Sequence, residues 1–109
     1  MTIEEVAEMI KETGLPTRYD KYPNRQVPSL PYTVYYFPNS NNFGADDKAY
    51  VEITALNIEL YTANKSPEDE KKVEKVLENQ DIFWNKTEAS IESEHMYEVL
   101  YEMEIIING

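Results

Sequence analysis

The chain has 109 residues, no cysteine, one histidine and a net charge of -11 from 21 acidic and 10 basic side chains. Its length fits one domain, residues 1–109, able to bury roughly 60–70% of its unfolded surface without covalent staples. Lack of cysteine excludes disulfides and thiolate metal sites, and the acidity argues against broad phosphate-backbone binding, which needs clustered Lys and Arg.

The N-terminus, MTIEEVAEMIKETG, is acidic and amphipathic, whereas a signal peptide is basic and then uniformly apolar. No apolar run approaches the ~18–20 residues of a bilayer span. A first helix is expected here. Thr2 and Glu5 form a capping box, Ile3, Val6, Ala7 and Ile10 make one apolar stripe, and Gly14 with Pro16 ends it.

Pro16, Pro23, Pro28 and Pro31 then exclude a regular central strand, leaving room for a short edge strand within 17–22. Arg18, Lys21 and Arg25 are interleaved with Asp20 and aromatics, which reads as a solvated loop rather than a phosphate contact. Tyr19 and Tyr22 are expected to lie over the core rather than to stack a base, a role that needs basic neighbours.

Tyr32 to Phe37 (YTVYYF) is β-branched and aromatic between two prolines and predicts a strand. The segment Pro38 to Asp47 (PNSNNFGADD) predicts a polar loop longer than a hairpin needs, with Phe43 near its tip. Ala49 to Tyr61 predicts the longest strand. Val51, Ile53 and Ala55 share one parity and Leu56, Ile58 and Leu60 the other, so a bulge or bend is expected near Ala55–Leu56; the alternative is a strand buried on both faces.

Ser66 caps a second helix, Pro67 occupies its first position, and Glu68, Asp69 and Glu70 complement its dipole. Capping explains this acidic cluster better than a metal site, which needs oxygens converging from several segments. Val73, Val76 and Leu77 form the buried stripe. Thr87 to Ser93 predicts a strand with Ala89 and Ile91 inward and Glu88, Ser90 and Glu92 outward. After a turn at Glu94–His95, Tyr97, Val99, Tyr101, Met103, Ile105 and Ile107 alternate along a final strand. Its other face carries Glu98, Leu100, Glu102, Glu104 and Ile106, a mixture that asks for water, a cover or a basic partner.

The expected fold is α+β: a mainly antiparallel sheet of about four strands with two helices on one face, in the order α-β-β-α-β-β. No nucleophile motif, phosphate loop or metal-binding helix motif is present, and His95 falls in a turn. The expectation is therefore a protein that is not an enzyme, with no catalytic residue, cofactor or metal.

The segment LPYTVYYFPNSNNFGADDKAYVEITALNIELYT, the helix SPEDEKKVEKVLE and the stretch WNKTEASIESEHMYEVLYEMEIII together resemble the tail terminator and tail-completion (head-tail joining) proteins of siphophages and prophages of Gram-positive bacteria. The resemblance spans residues 14–107. It implies a structural virion protein in the host cytoplasm during assembly and then in the neck of the particle. Such proteins form a ring, a hexamer in the assembled tail, that caps the tail tube and faces the head connector; a subunit can stay monomeric until it meets the tube. DNA passes through the lumen without specific binding, and no membrane is involved. The interface candidates are Asn41, Asn42, Phe43, Asp46 and Asp47, together with the proline-rich segment. Two alternatives stand beside it: a head-completion or adaptor protein of the neck, and an acidic DNA mimic that inhibits a basic enzyme.

Overall fold

A computed structural model describes residues 1–38, 40–43 and 51–107 of the chain. Helix α1 (Ile3–Lys11) leads through Gly14 into strand β1 (Thr17–Tyr19); β2 (Tyr32–Tyr36), β3 (Ser40–Phe43) and β4 (Val51–Thr62) follow. Helix α2 (Pro67–Asn79), β5 (Asn85–Ile91) and β6 (Met96–Ile107) complete an α+β fold. Five strands lie in the order β1-β2-β4-β6-β5, and the short β3 pairs with the start of β4 beside β2. All pairings are antiparallel except β1 with β2. The sheet is thus mainly antiparallel, as expected, with five strands on its main path where about four were expected and one parallel pair at its edge. The chain leaves β1 at Asp20 and crosses the sheet face before re-entering β2 in the same direction, as parallel neighbours require.

Both helices pack on one face. Val6, Met9 and Ile10 of α1 and Val73, Val76 and Leu77 of α2 meet Leu56, Ile58, Leu60, Val99, Tyr101, Met103 and Ile105 in a single core. The capping box of α1 forms as expected: Glu5 N–H donates to Thr2 Oγ1 at 3.1 Å and Thr2 N–H to Glu5 Oε1 at 2.8 Å. Gly14, at φ 78°, takes the left-handed conformation that turns the chain toward β1. The buried stripe of α1 includes Met9 and leaves Ile3 about half exposed, a rotation of the expected face. Ser66 and Pro67 start α2 as anticipated.

Strand β4 keeps strict alternation, with Thr54, Leu56, Ile58, Leu60 and Thr62 on the core face. Its pairing with β6 is unbroken from Glu52↔Ile107 to Thr62↔Tyr97. The bulge expected within this strand at Ala55–Leu56 is therefore absent, and a register irregularity lies instead on the neighbouring segment. Opposite those residues the register advances by one between Tyr36↔Asn57 and Ser40↔Thr54. Pro38 falls there, and without an N–H it cannot continue the ladder. Ile53 and Ala55 therefore sit half-buried on the face away from the helices.

The expected facing of β5 is reversed. Lys86 and Glu88 pair with Tyr101 and Val99 and so share the helix face, while Ala89 and Ile91 lie on the other. The reason is that β5 is an edge strand beyond the apolar stripe of α2, where that helix presents Glu70 and Glu74. Glu70, only 3% exposed, is no simple dipole partner. Lys65 donates to it at 2.9 Å and Lys86 at 3.0 Å; Lys86 also reaches Glu74 at 3.0 Å, and Lys65 pairs with Glu88. Tyr101 Oη donates to Glu74 Oε2 at 2.8 Å, sealing the seam.

Hydrogen bonds from Lys86 to Glu70 and Glu74 raise its pKa above the usual 10.5, and bonds to Lys65 and Tyr97 lower that of Glu88 below 4.5. A lysine with a raised folded pKa contributes stability that is complete below its unfolded pKa and fades as pH rises through the folded one. The Lys86 contribution is therefore full at neutral pH and lost above about pH 10.5. The glutamate contribution is full above about pH 4.5 and lost on acidification. Lys86→Met should flatten the alkaline limb of a Tm-against-pH curve and leave the acid limb in place. An unchanged alkaline limb would rule out the seam as its source.

Candidate functional site

The sheet face turned away from the helices is the surface most in need of an explanation. Register places Tyr32, Val34 and Tyr36 of β2, Ile53, Ala55, Asn57, Glu59 and Tyr61 of β4, and Glu98, Leu100, Glu102, Glu104 and Ile106 of β6 upon it. One end is covered. The segment after β1 crosses it and buries Tyr32 and Val34, with Tyr22 edge-on to Tyr32 at 5.4 Å and Tyr32 stacked on Tyr61 at 5.3 Å.

Beside this aromatic row Glu59 is held by phenols. Tyr36 Oη donates to its Oε2 at 2.6 Å and Tyr61 Oη to its Oε1 at 2.5 Å, while Asn57 Nδ2 donates to Tyr36 Oη at 3.4 Å. Burial, then hydrogen bonding to Glu59 and Glu98, drives the Tyr61 phenol far above its usual pKa, so it stays a neutral donor. Two phenols positioned this way fix a carboxylate without any cation. The arrangement orders the surface.

Toward the other end the face opens. None of the ion pairs among the described residues involves Glu102 or Glu104 there, or Glu98, which lies beside Tyr61 at the covered end. Apolar side chains alternate with them, and Ile106 is 53% exposed. Here β5 stops at Asn85↔Glu102, so the last part of β6 has no strand on that side. A groove of about 880 Å³ runs along the unpaired segment, bordered by Met1, Ala55, Phe83, Trp84, Glu104 and Ile106. Phe83 is 94% exposed on its rim.

Of the interface residues expected from sequence, Asn41, Asn42 and Phe43 belong to β3, paired with Ile53, Glu52 and Val51, instead of to a loop. Asp46 and Asp47 lie outside the described residues. In the proline-rich segment, Arg18 and Lys21 are exposed, and Tyr19 leans on Tyr35 at the sheet margin with ring centroids 5.5 Å apart. The sequence reading missed Phe83. Its signal was the run Ile82-Phe83-Trp84 between α2 and β5, where Ile82 and Trp84 pack against the core and the residue between them points outward. His95 is exposed at φ 53° after the 3-10 turn Glu92–Glu94, where the expected chain reversal occurs. Among the described residues no cluster of three His, Cys, Asp or Glu could hold a metal, and no helix is long and apolar enough to cross a membrane.

No protein-family model matches the chain, and no curated protein matches it significantly.

Proposed function

We propose that this chain is a structural subunit of a phage neck, a tail terminator-like protein that assembles into a ring on the tail tube and meets the head connector. The observation that carries the reading is the open sheet face: carboxylates without ion pairs among the described residues, interrupted by apolar side chains, ending at an exposed aromatic and a strand end that β5 does not cover. An exposed aromatic beside an unpaired edge favours a protein partner, since large aromatics dominate interface energetics. Head-to-tail contacts of this kind close into a ring when the rotation between copies allows it.

The acidic part of the face suits the lumen. Duplex DNA carries a dense negative charge, and Glu98, Glu102 and Glu104 repel phosphates, so DNA passes without adhering. A DNA mimic is less well supported, because Leu100, Ala55, Ile53 and Ile106 break up the carboxylate array. Electron microscopy of virions made without the gene is the test. Overlong tails lacking heads are expected; normal particles with tails of correct length would overturn the proposal.

A further inference from the structure

We infer that the covered end of the open face holds a binding pocket for a guanidinium group on an aliphatic stem, either an arginine side chain or a free alkylguanidine. The pocket is built within one copy of the chain, and it stands whether or not copies form a ring.

A cleft of about 390 Å³ opens between the segment that follows β1 and the turn that joins β5 to β6. Tyr22 and Val27 line it from the first, Ile91, Glu94 and Met96 from the second, and Tyr32, Glu59 and Tyr61 of the sheet lie between them. Two contacts fix the first wall: Asp20 N–H donates to Tyr35 C=O at 2.7 Å, and Tyr22 packs edge-on against Tyr32.

Two phenols point to a ligand. Tyr36 and Tyr61 direct their hydroxyls to Glu59. Tyr32 lines the cleft and is only 9% exposed, yet its hydroxyl makes no hydrogen bond among the described residues. Tyr22 Oη is also buried and without a partner. Buried hydroxyls are normally satisfied, so two unpaired ones in one cleft call for an occupant. Burial, followed by the charges of Glu94 and Glu59, holds the Tyr32 phenol above its usual pKa of 10.0. It therefore stays neutral, and both carboxylates lie near enough to act on it.

The lining defines the chemistry of that occupant. Asp20, Glu59 and Glu94 border the cleft against a single ammonium, Lys21, and none of the four enters an ion pair among the described residues. The excess charge selects a cation. A metal ion needs oxygens converging on one point, and no three acids among the described residues are gathered closely enough. A guanidinium suits spaced acceptors, because it is planar, always charged and carries five donors. It can donate to Tyr32 Oη and Glu94 together while lying against a tyrosine ring. Its methylenes meet Val27, Ile91 and Met96. An ammonium has three donors on one atom and no flat face, so it fits less well.

The four methionines provide the readout. Met96 lines this cleft, Met1 and Met103 line the acidic groove at the other end, and Met9 lies in the core. With n-butylguanidinium as the probe, NMR should show a saturable shift of the Met96 methyl alone, with a Kd of about 1 mM for so small a ligand. Binding of n-butylammonium should be about tenfold weaker. Glu94→Gln and Tyr32→Phe should each weaken the guanidinium by about tenfold. The Tm of Tyr32→Phe without ligand should match or exceed the parent's, since that hydroxyl bonds to nothing in the free protein. Glycyl-arginyl-glycine separates the two sources: a Met96 shift as large as that given by n-butylguanidinium assigns the pocket to arginine of a protein, and its absence assigns it to a free alkylguanidine. Equal drift of Met1, Met96 and Met103, or unchanged affinity in both variants, would overturn the pocket. An ammonium bound as tightly as the guanidinium would overturn the ligand class.

Discussion

Replacing Leu56 by Ala is expected to remove about 3–4 kcal/mol of unfolding free energy, the cost of a cavity at a fully buried leucine. The side chain is 0% exposed on the central strand, where it meets both helices and its β6 neighbours. A domain of this size has about 5–15 kcal/mol to lose, so the variant should unfold at a much lower denaturant midpoint with an unchanged m-value. The companion variant Ile106→Ala, on the open face and 53% exposed, should cost no more than about 0.5–1 kcal/mol. Urea titration of the two variants separates the faces. Equal losses would mean that the parity assigned to the central strands is wrong, and with it the identity of the open face.

Phe83→Asp is expected to have the opposite profile: a Tm within a degree or two of the parent and a complete loss of assembly. The ring is 94% exposed on the rim of the groove, so the folded monomer has little packing to lose. In an assembled ring the same aromatic beside the β6 edge would be an anchor of the kind whose truncation costs about 2 kcal/mol or more per contact. Aspartate adds a charge next to Asp81 and Glu102 along the same groove, which deepens the effect. Electron microscopy of tail tubes incubated with the purified variant or with the parent, alongside thermal melts, reads both quantities. An assembled variant would show that Phe83 lies outside the contact, and a large drop in Tm would show that it supports the monomer.

The core around Leu56 and the exposed Phe83 also mark where sequence reasoning worked and where it stopped. Val99, Tyr101, Met103 and Ile105 were legible as core because strict alternation over a long strand leaves few alternatives, whereas in β4 the change of parity before Leu56, Ile58 and Leu60 suggested a bulge that the strand does not have. Helix ends were legible for a similar reason: Thr2 with Glu5, and Ser66 with Pro67, satisfy local backbone groups wherever the helix packs. The open face was partly visible, since Glu98, Glu102 and Glu104 alternate with the core residues of β6. Phe83 was not recognised, because a short apolar run between elements does not say which of its members points outward.

By itself, then, the amino-acid order determined the α+β class, both helices with their caps, and the buried parity of β6, while the single parity of β4 was hidden by the apolar residues on both its faces. Those features depend on periodicity and on contacts within a few residues. Only the tertiary structure decided the parallel docking of β1, the strand β3 within an expected loop, the reversed facing of β5 and the burial of Glu70 between two lysines. Each of these depends on which segment lies alongside another far away in the chain. Pairing partners at that range are chosen by the whole set of backbone hydrogen bonds and charges that must be satisfied together, and no local pattern records that choice.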